Sequence, residues 1–269
     1  MPDLFEQASQ CIAAADPDVK LELTRSTHEA WLNRTLSLDR SGTAHSIGEP
    51  GRPERPELVH PSQVKQRKLT SETGKAAFLH ALAHIEFNAI NLGWDAVYRY
   101  RDMPQAFYDD WSRVAAEEAG HFALLRGRLG ELGHEYGDFP AHDGLWYMAR
   151  LTAHDCLVRM ALVPRVLEAR GLDVTPDMIR RLREIGDRMT VEVLETILQD
   201  EIGHVEIGTR WYRFLCRQRG LDPVETFFLL LSEYDPGRIR RPLNTVARQR
   251  AGIDRDELEL LQDMAANYS

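Results

Sequence analysis

The sequence has few cysteines, no long hydrophobic run and no excess of basic charge. Cys11, Cys156 and Cys216 are widely separated and odd in number, which is typical of reduced thiols and argues against a disulfide framework. No apolar run approaches the roughly 20 residues that cross a bilayer, and the start, MPDLFEQASQ, lacks the features of a secretory signal. The net charge of −9 argues against a nucleic-acid partner. We therefore expect a cytoplasmic protein that neither enters the membrane nor binds nucleic acid.

The sequence also lacks the alternation of polar and apolar residues that indicates strands, so we expect an all-α chain. Residues 3–15 and 18–36 have the periodicity of amphipathic helices. Residues 37–65 have no regular period, and Gly and Pro recur throughout them, which predicts an extended arm. Such a stretch is too long for an ordinary connection, so we expect it to lie against the rest of the protein.

Long helical patterns occupy the middle of the chain, and we predict four helices over residues 70–101, 104–132, 143–170 and 189–219. Pro164 should bend the third helix, since proline removes one ladder hydrogen bond, and Gly171 should end it. Thr175 and Pro176 favour the start of a further short helix, and Gly220 should end the last long one.

The remainder of the chain is predicted to contain short helices at 223–233 and 254–265, separated by a basic and irregular stretch at 235–252. The whole pattern predicts three regions. They are N-terminal helices with the extended arm at 1–69, a four-helix bundle at 70–220, and C-terminal helices with a basic segment at 221–269.

Two of the long helices contain the same motif, an acid followed by Glu-x-x-His. The second predicted helix contains Glu118 and His121, and the fourth contains Glu201 and His204. Residues at positions i and i+3 lie on one face of a helix, so each pair can reach a single point beside it. A metal ion needs such a convergence of side chains.

The other two long helices each contribute one more acid. Glu86 precedes Glu118 by 32 residues, and Glu168 precedes Glu201 by 33. The midpoint of the first pair falls at Asp102, in the predicted turn, so Glu86 and Glu118 should be level in an antiparallel hairpin. The midpoint of the second pair falls near residue 184, away from the predicted turn at 171–176, and the short helix after Pro176 should absorb the difference.

Six side chains in this order predict a dinuclear metal site. A single Glu-x-x-His is common and usually marks a surface, but two copies with matching acids and matching spacing are not. Four carboxylates and two neutral imidazoles neutralise two divalent cations, whereas four buried carboxylates without metal would repel one another. Mixed oxygen and nitrogen ligands with open positions suit iron or manganese better than structural zinc.

The order Glu…Glu-x-x-His…Glu…Glu-x-x-His resembles the ferritin-like di-iron carboxylate proteins. The segments ALVPRVLEARGLDVTP and DEIGHVEIG look like one bacterial ferritin-like family known only as a domain of unknown function. The resemblance implies a ferritin-like four-helix bundle with additional N- and C-terminal helices. It also implies two iron ions, with manganese or a mixed Mn/Fe pair as alternatives, held by Glu86, Glu118, His121, Glu168, Glu201 and His204.

Several functions agree with this resemblance. The first hypothesis is an O₂-dependent oxygenase or oxidase acting on a small organic substrate, with an electron-donor protein and a homodimer kept open as further partners. The alternatives are iron handling or oxidative-stress protection, as in ferritins and rubrerythrins, and a helical binding module stabilised by metal. The sequence has no CxxC pair for a rubredoxin-like centre.

Glu117 and Asp200 precede the two Glu-x-x-His motifs and are rotated by about 100° from the ligand glutamates. Each alone would be interpreted as a solvent-facing acid. Because the acid recurs and ligand histidines need an acceptor for their second ring nitrogen, we predict that Asp200 contacts His121 and Glu117 contacts His204. Related di-iron enzymes have a similar arrangement.

Overall fold

The described residues are helical, as the sequence predicts. The structure is a computed structural model, and it describes residues 1–65, 67–234 and 239–267. Over these ranges it contains α-helices, one 3₁₀ turn, one π-helical segment and two isolated β-bridges, but no strand. No helix among them is both long enough and apolar enough to cross a membrane. Residues 235–238, part of the predicted basic stretch, lie outside the described ranges.

The chain divides into two compact units, Met1–Arg150 and Leu151–Ser269. The division into three regions at 1–69, 70–220 and 221–269 stays a prediction. The first unit contains α1 (Leu4–Ala13), α2 (Pro17–Leu32), a 3₁₀ turn (Pro61–Gln63), α3 (Glu72–Arg99), α4 (Gln105–Glu131) and α5 (Gly144–Leu151), which ends at the start of the second unit. The second contains α6 (Cys156–Leu162), a π segment (Val163–Glu168), α7 (Ala169–Glu184), α8 (Arg188–Arg219), α9 (Pro223–Tyr234), α10 (Thr245–Arg250) and α11 (Arg255–Asn267).

Side-chain caps begin the N-terminal helices close to where the sequence predicts them. The Asp3 carboxylate accepts hydrogen bonds from two backbone N–H groups of α1, Asp16 does the same for α2, and Ser71 accepts one from Gly74 in α3. Helices α3 and α4 form an antiparallel hairpin, with α1 packed on α3 and α2 packed on α4. This hairpin is the framework of the first unit.

Residues 37–65 form an extended arm that lies on the first unit, which confirms that prediction apart from the one 3₁₀ turn. The Gly51 N–H donates to the Ile12 carbonyl at 2.8 Å, and the Trp146 indole donates to the Gly48 carbonyl at 2.9 Å. A Cβ atom at Gly51 would meet the Ala13 carbonyl oxygen at 2.1 Å. Only glycine therefore allows the arm to approach α1 so closely.

The predicted third helix is wrong in two respects. It is interrupted after Leu151, and α6 begins again at Cys156 with Asp155 as its N-cap. It also does not end at Gly171, because α7 continues through Pro176 to Glu184. The buried face of α7, which includes Leu172, Ile179 and Leu182, packs on α8. This continuous apolar face outweighs the hydrogen bond that the proline removes.

The turn of the second hairpin consequently lies at residues 185–187, where Gly186 has a positive φ of 76°. The sequence predicts the turn at 171–176 and a separate short helix after Pro176. Residues 176–184 are helical, but they continue α7 and do not form a separate helix. Helix α8 ends at Gly220, as predicted, with that residue in the left-handed conformation.

Candidate metal centre

Three of the predicted ligands converge in the first unit. Glu86 comes from α3, and Glu118 and His121 come from α4. Their exposed fractions are 7%, 1% and 2%, and each offers one ligand atom within 4.8 Å of the others. The hairpin places them together because Glu86 lies 13 residues before the end of α3 and Glu118 lies 13 residues after the start of α4.

A close approach of the two helices supports this convergence. A Cβ atom added to Gly93, two turns beyond Glu86, would lie 2.9 Å from the Cβ atom of Ala115. Ala115 is one turn before Glu118 on α4. Two small residues thus allow α3 and α4 to pack closely next to the three ligand side chains.

Two donor atoms of this triad have a separation that agrees with a shared metal ion. His121 Nδ1 lies 3.1 Å from Glu118 Oε2. Two donors that share an ion at about 2.1 Å, about 90° apart, are separated by about 3 Å. Buried carboxylates are costly unless they are paired, hydrogen-bonded or bound to metal. Two carboxylates and an imidazole therefore fit a divalent cation.

The second unit repeats part of this arrangement on α8. His204 Nδ1 lies 3.4 Å from Glu201 Oε2, and both side chains are buried. Gly171 of α7 lies opposite Glu201, since a Cβ atom there would be 3.7 Å from Glu201 Cγ. A Glu-x-x-His pair with Nδ1 near the glutamate carboxylate is thus present in both units.

Glu168 is the predicted ligand that the structure does not bring into such a group. Helices α7 and α8 place Gly171 level with Glu201, each 13 residues from the turn, and Glu168 lies one helical turn before Gly171. The Glu168 Oε2 atom is buried, but within the described residues no cluster of three ligand atoms includes it. The assignment of Glu168 stays a prediction.

The profile of one protein family, described as "Protein of unknown function (DUF455)", matches residues 13–259. The chain belongs to this family. An "Uncharacterized protein" of Haemophilus influenzae (strain ATCC 51907 / DSM 11121 / KW20 / Rd) is 43% identical to it over 270 residues, covering 97% of this chain and 94% of the relative. No solved structure matches significantly. The six candidate ligands of this DUF455 chain lie inside the matched range, and its function must be argued from the site.

A π-helical segment carries Glu168 in this DUF455 protein. Pro164, which the sequence predicts as a bend, lies near the start of the segment and has no N–H to donate. Its ring packs directly on α8, where a Cβ atom at Gly208 would meet both Cβ and Cγ of Pro164 at 2.2 Å. The sequence shows one proline and one glycine at these positions, but nothing in their spacing predicts that they are in contact.

An aromatic cluster contains the residues that directly follow two members of the first triad. The Tyr136 ring packs on Phe87 and Phe122, the neighbours of Glu86 and His121, at centroid distances of 5.4 and 5.1 Å. Its hydroxyl lies 2.9 Å from His84 Nδ1. Burial lowers the pKa of His84 to about 4 and raises the pKa of Tyr136. Tyr136 gives no signal in the sequence, because it lies in an irregular loop without a period.

Glu117 and Asp200 are both half-buried. Glu117 acts on His28 of α2, because its negative charge favours the protonated form and partly opposes the lowering of the His28 pKa by burial. The contacts to ligand histidines that the sequence predicts for these two acids stay predictions.

Proposed function

We propose that this DUF455 protein is a di-iron carboxylate oxidoreductase, an O₂-dependent oxygenase or oxidase that acts on a small organic substrate. The observation that carries the proposal is the buried triad of Glu86, Glu118 and His121. The proposal takes α3, α4, the stretch from α6 to α7, and α8 as the four helices of a ferritin-like bundle. It is supported by the two hairpins and by the Glu-x-x-His pair that recurs in each.

Each hairpin would hold one ion, which is iron in the first instance and manganese as an alternative. Glu86, Glu118 and His121 would bind one ion, while Glu168, Glu201 and His204 would bind the other. Bound iron would supply the electrons that reduce O₂ and the oxidising power for the substrate. Three protein ligands per ion leave positions open for these molecules.

The side chains of the chain itself would bind, orient and exclude water. Phe87, Phe122 and Tyr136 pack on one another, and Phe87 and Phe122 directly follow Glu86 and His121 in the sequence. This aromatic cluster would help to exclude water from the site, and electrostatic interactions are stronger where water is excluded. Glu117 and Asp200 would hold the proton on the histidine nitrogen that does not bind metal, and so fix the ring orientation.

Metal content tests the core of the proposal. Protein purified after iron supplementation should contain about two metal ions per chain, by elemental analysis. Glu118→Ala and Glu201→Ala should lose metal, because each removes a buried carboxylate that pairs with a histidine. His154→Ala is the control, since His154 is exposed and lies between α5 and α6, and it should load metal like the parent. A parent chain that stays metal-free would refute the proposal.

Iron retention separates an oxygenase from iron storage. An oxidase or oxygenase should consume O₂ in near-stoichiometric proportion to bound ferrous iron and then stop unless a reductant and substrate are added. An iron-storage protein of the ferritin type would continue to oxidise iron and would retain tens of ions per chain. A binding module would hold its metal without consuming O₂. Oxygen-electrode traces together with retained iron per chain distinguish these three outcomes.

A further inference from the structure

We infer that the C-terminal segment, residues 239–267, is a clamp that positions the helical stretch carrying Glu168. The clamp acts through two buried arginine–carboxylate pairs, one on each side of that residue. The first pair joins Arg165 to Glu257, and the second joins Asp173 to Arg248. This inference rests on the proposed function only in assigning Glu168 to a metal ion.

The Arg165–Glu257 pair connects the π segment to α11. Arg165 is fully buried and Glu257 is 2% exposed, and a guanidinium nitrogen of Arg165 donates a short hydrogen bond to the Glu257 carboxylate. The guanidinium also lies over the rings of both Tyr212 and Phe227, 4.4 and 4.0 Å from their centroids. Arg165 is thus held by α8, α9 and α11 together, three residues before Glu168.

The Asp173–Arg248 pair connects α7 to α10, five residues after Glu168. Arg248 Nε and Nη2 donate to the two carboxylate oxygens of Asp173 at 2.9 and 2.8 Å, a bidentate geometry. The backbone N–H of Asn244 donates to the same carboxylate at 2.9 Å. The Asn244 amide side chain donates to the Leu172 carbonyl at 3.1 Å, so both backbone and side chains hold the segment on α7.

Such pairs fix geometry better than they add stability. Removing a charged group from water offsets much of the attraction within a buried pair, and apolar replacements are often as stable. A directional hydrogen-bonded pair, however, allows only one register between its two elements. A π segment lacks the regular ladder of an α-helix, so an external anchor at Arg165 would prevent Glu168 from shifting.

Amide hydrogen exchange tests the clamp without any metal. In Glu257→Gln and in Asp173→Asn, the amides of residues 165–173 should exchange about tenfold faster or more than in the parent, because the anchor is weakened. Glu259→Gln is the matched control on the same helix, since it neutralises an exposed carboxylate that pairs with Arg255. Exchange in the α3–α4 hairpin should not change in any of the three variants.

Metal titration then connects the clamp to Glu168. With Co²⁺ as probe, the two clamp variants should bind one ion like the parent and the other about 10–100-fold more weakly, while Glu259→Gln binds both normally. If Glu257→Gln does not fold, the double variant Arg165→Met with Glu257→Leu replaces the pair by apolar side chains, and it should fold but show the same selective loss.

Unchanged exchange in residues 165–173 of a folded clamp variant would overturn the inference, and so would a double variant that binds both ions like the parent. A parent chain that binds no metal would instead overturn the proposed function, and the exchange result would still decide whether the clamp exists.

Discussion

The contact between Gly208 and Pro164 can be tested by replacing Gly208 with alanine. An alanine Cβ atom would lie 2.2 Å from Cβ and 2.2 Å from Cγ of the proline ring. Carbon atoms in ordinary contact are about 3.5–4.0 Å apart, so the two elements would have to separate by more than about 1 Å. The ring cannot rotate away as a flexible side chain would, because it is fused to the backbone.

Two opposing effects set the magnitude. Alanine in a helix interior is favoured over glycine by about 1 kcal/mol, and overpacking a close contact costs about 1–3 kcal/mol. Gly203 lies in the same helix with no atom within 4 Å of an added Cβ, so Gly203→Ala has only the favourable effect. Gly208→Ala should therefore be less stable than Gly203→Ala by about 1–3 kcal/mol.

Urea unfolding of the parent and the two variants measures this difference directly. Because the displaced proline lies in the π segment, Gly208→Ala should also speed amide exchange in residues 165–168, whereas Gly203→Ala should not. If Gly208→Ala is as stable as Gly203→Ala, the α8 backbone does not touch Pro164 and the described packing of the π segment is incorrect.

Three further predictions concern other parts of the chain. Gly93→Ala should be less stable than Gly120→Ala by about 1 kcal/mol in urea unfolding, because its Cβ would lie 2.9 Å from that of Ala115 while Gly120 has open space. Burial lowers the pKa of His80 to about 4, so the unfolded chain binds more protons between pH 6.5 and pH 4, and the free energy of unfolding should fall by up to about 3 kcal/mol as the pH drops through that window. His80→Gln should make this dependence less steep without removing it, because burial also lowers the pKa of His84 to about 4, and a profile as steep as that of the parent would contradict the assignment. Asp200→Asn should keep the helical content by circular dichroism but bind Co²⁺ about 10–100-fold more weakly, and parent-like binding would remove its predicted role.

Local sequence signals predicted the end of α8 and, within a few residues, the starts of the first three helices. Asp3, Asp16 and Ser71 cap the first three helices, and Gly220 ends α8 in the left-handed conformation. A helix cap involves only one residue and the backbone within three or four residues of it, so a short stretch of sequence is enough to predict it. The turn predicted at Asp102 likewise implied that Glu86 and Glu118 lie at the same height in the antiparallel hairpin.

The region around Glu168 could not be predicted in the same way, because packing decides its structure. Local propensity favoured a helix end at Gly171 and a start at Pro176, yet the buried face of α7 carries the helix through both. At the break after Leu151, the buried Arg159 side chain donates to the Thr152 hydroxyl at 2.6 Å. The Arg159 contact has no periodic signal in the sequence.

The position of Glu168 decides whether the internal repeat extends to all six predicted ligands. Its spacing to Glu201 matches that of Glu86 to Glu118, but Gly171 is the residue level with Glu201, so Glu168 is displaced by three residues, about 4.5 Å along the helix. Under the proposed function, Glu168→Ala should weaken the binding of one Co²⁺ ion by about 10–100-fold. The affinity for the ion at Glu86, Glu118 and His121 should not change. Matched visible-absorption titrations of parent and variant measure both steps. If the variant binds two ions with parent affinities, the second ion is held by Glu201 and His204 without Glu168. The similar spacing of the two glutamate pairs would then not reflect similar roles.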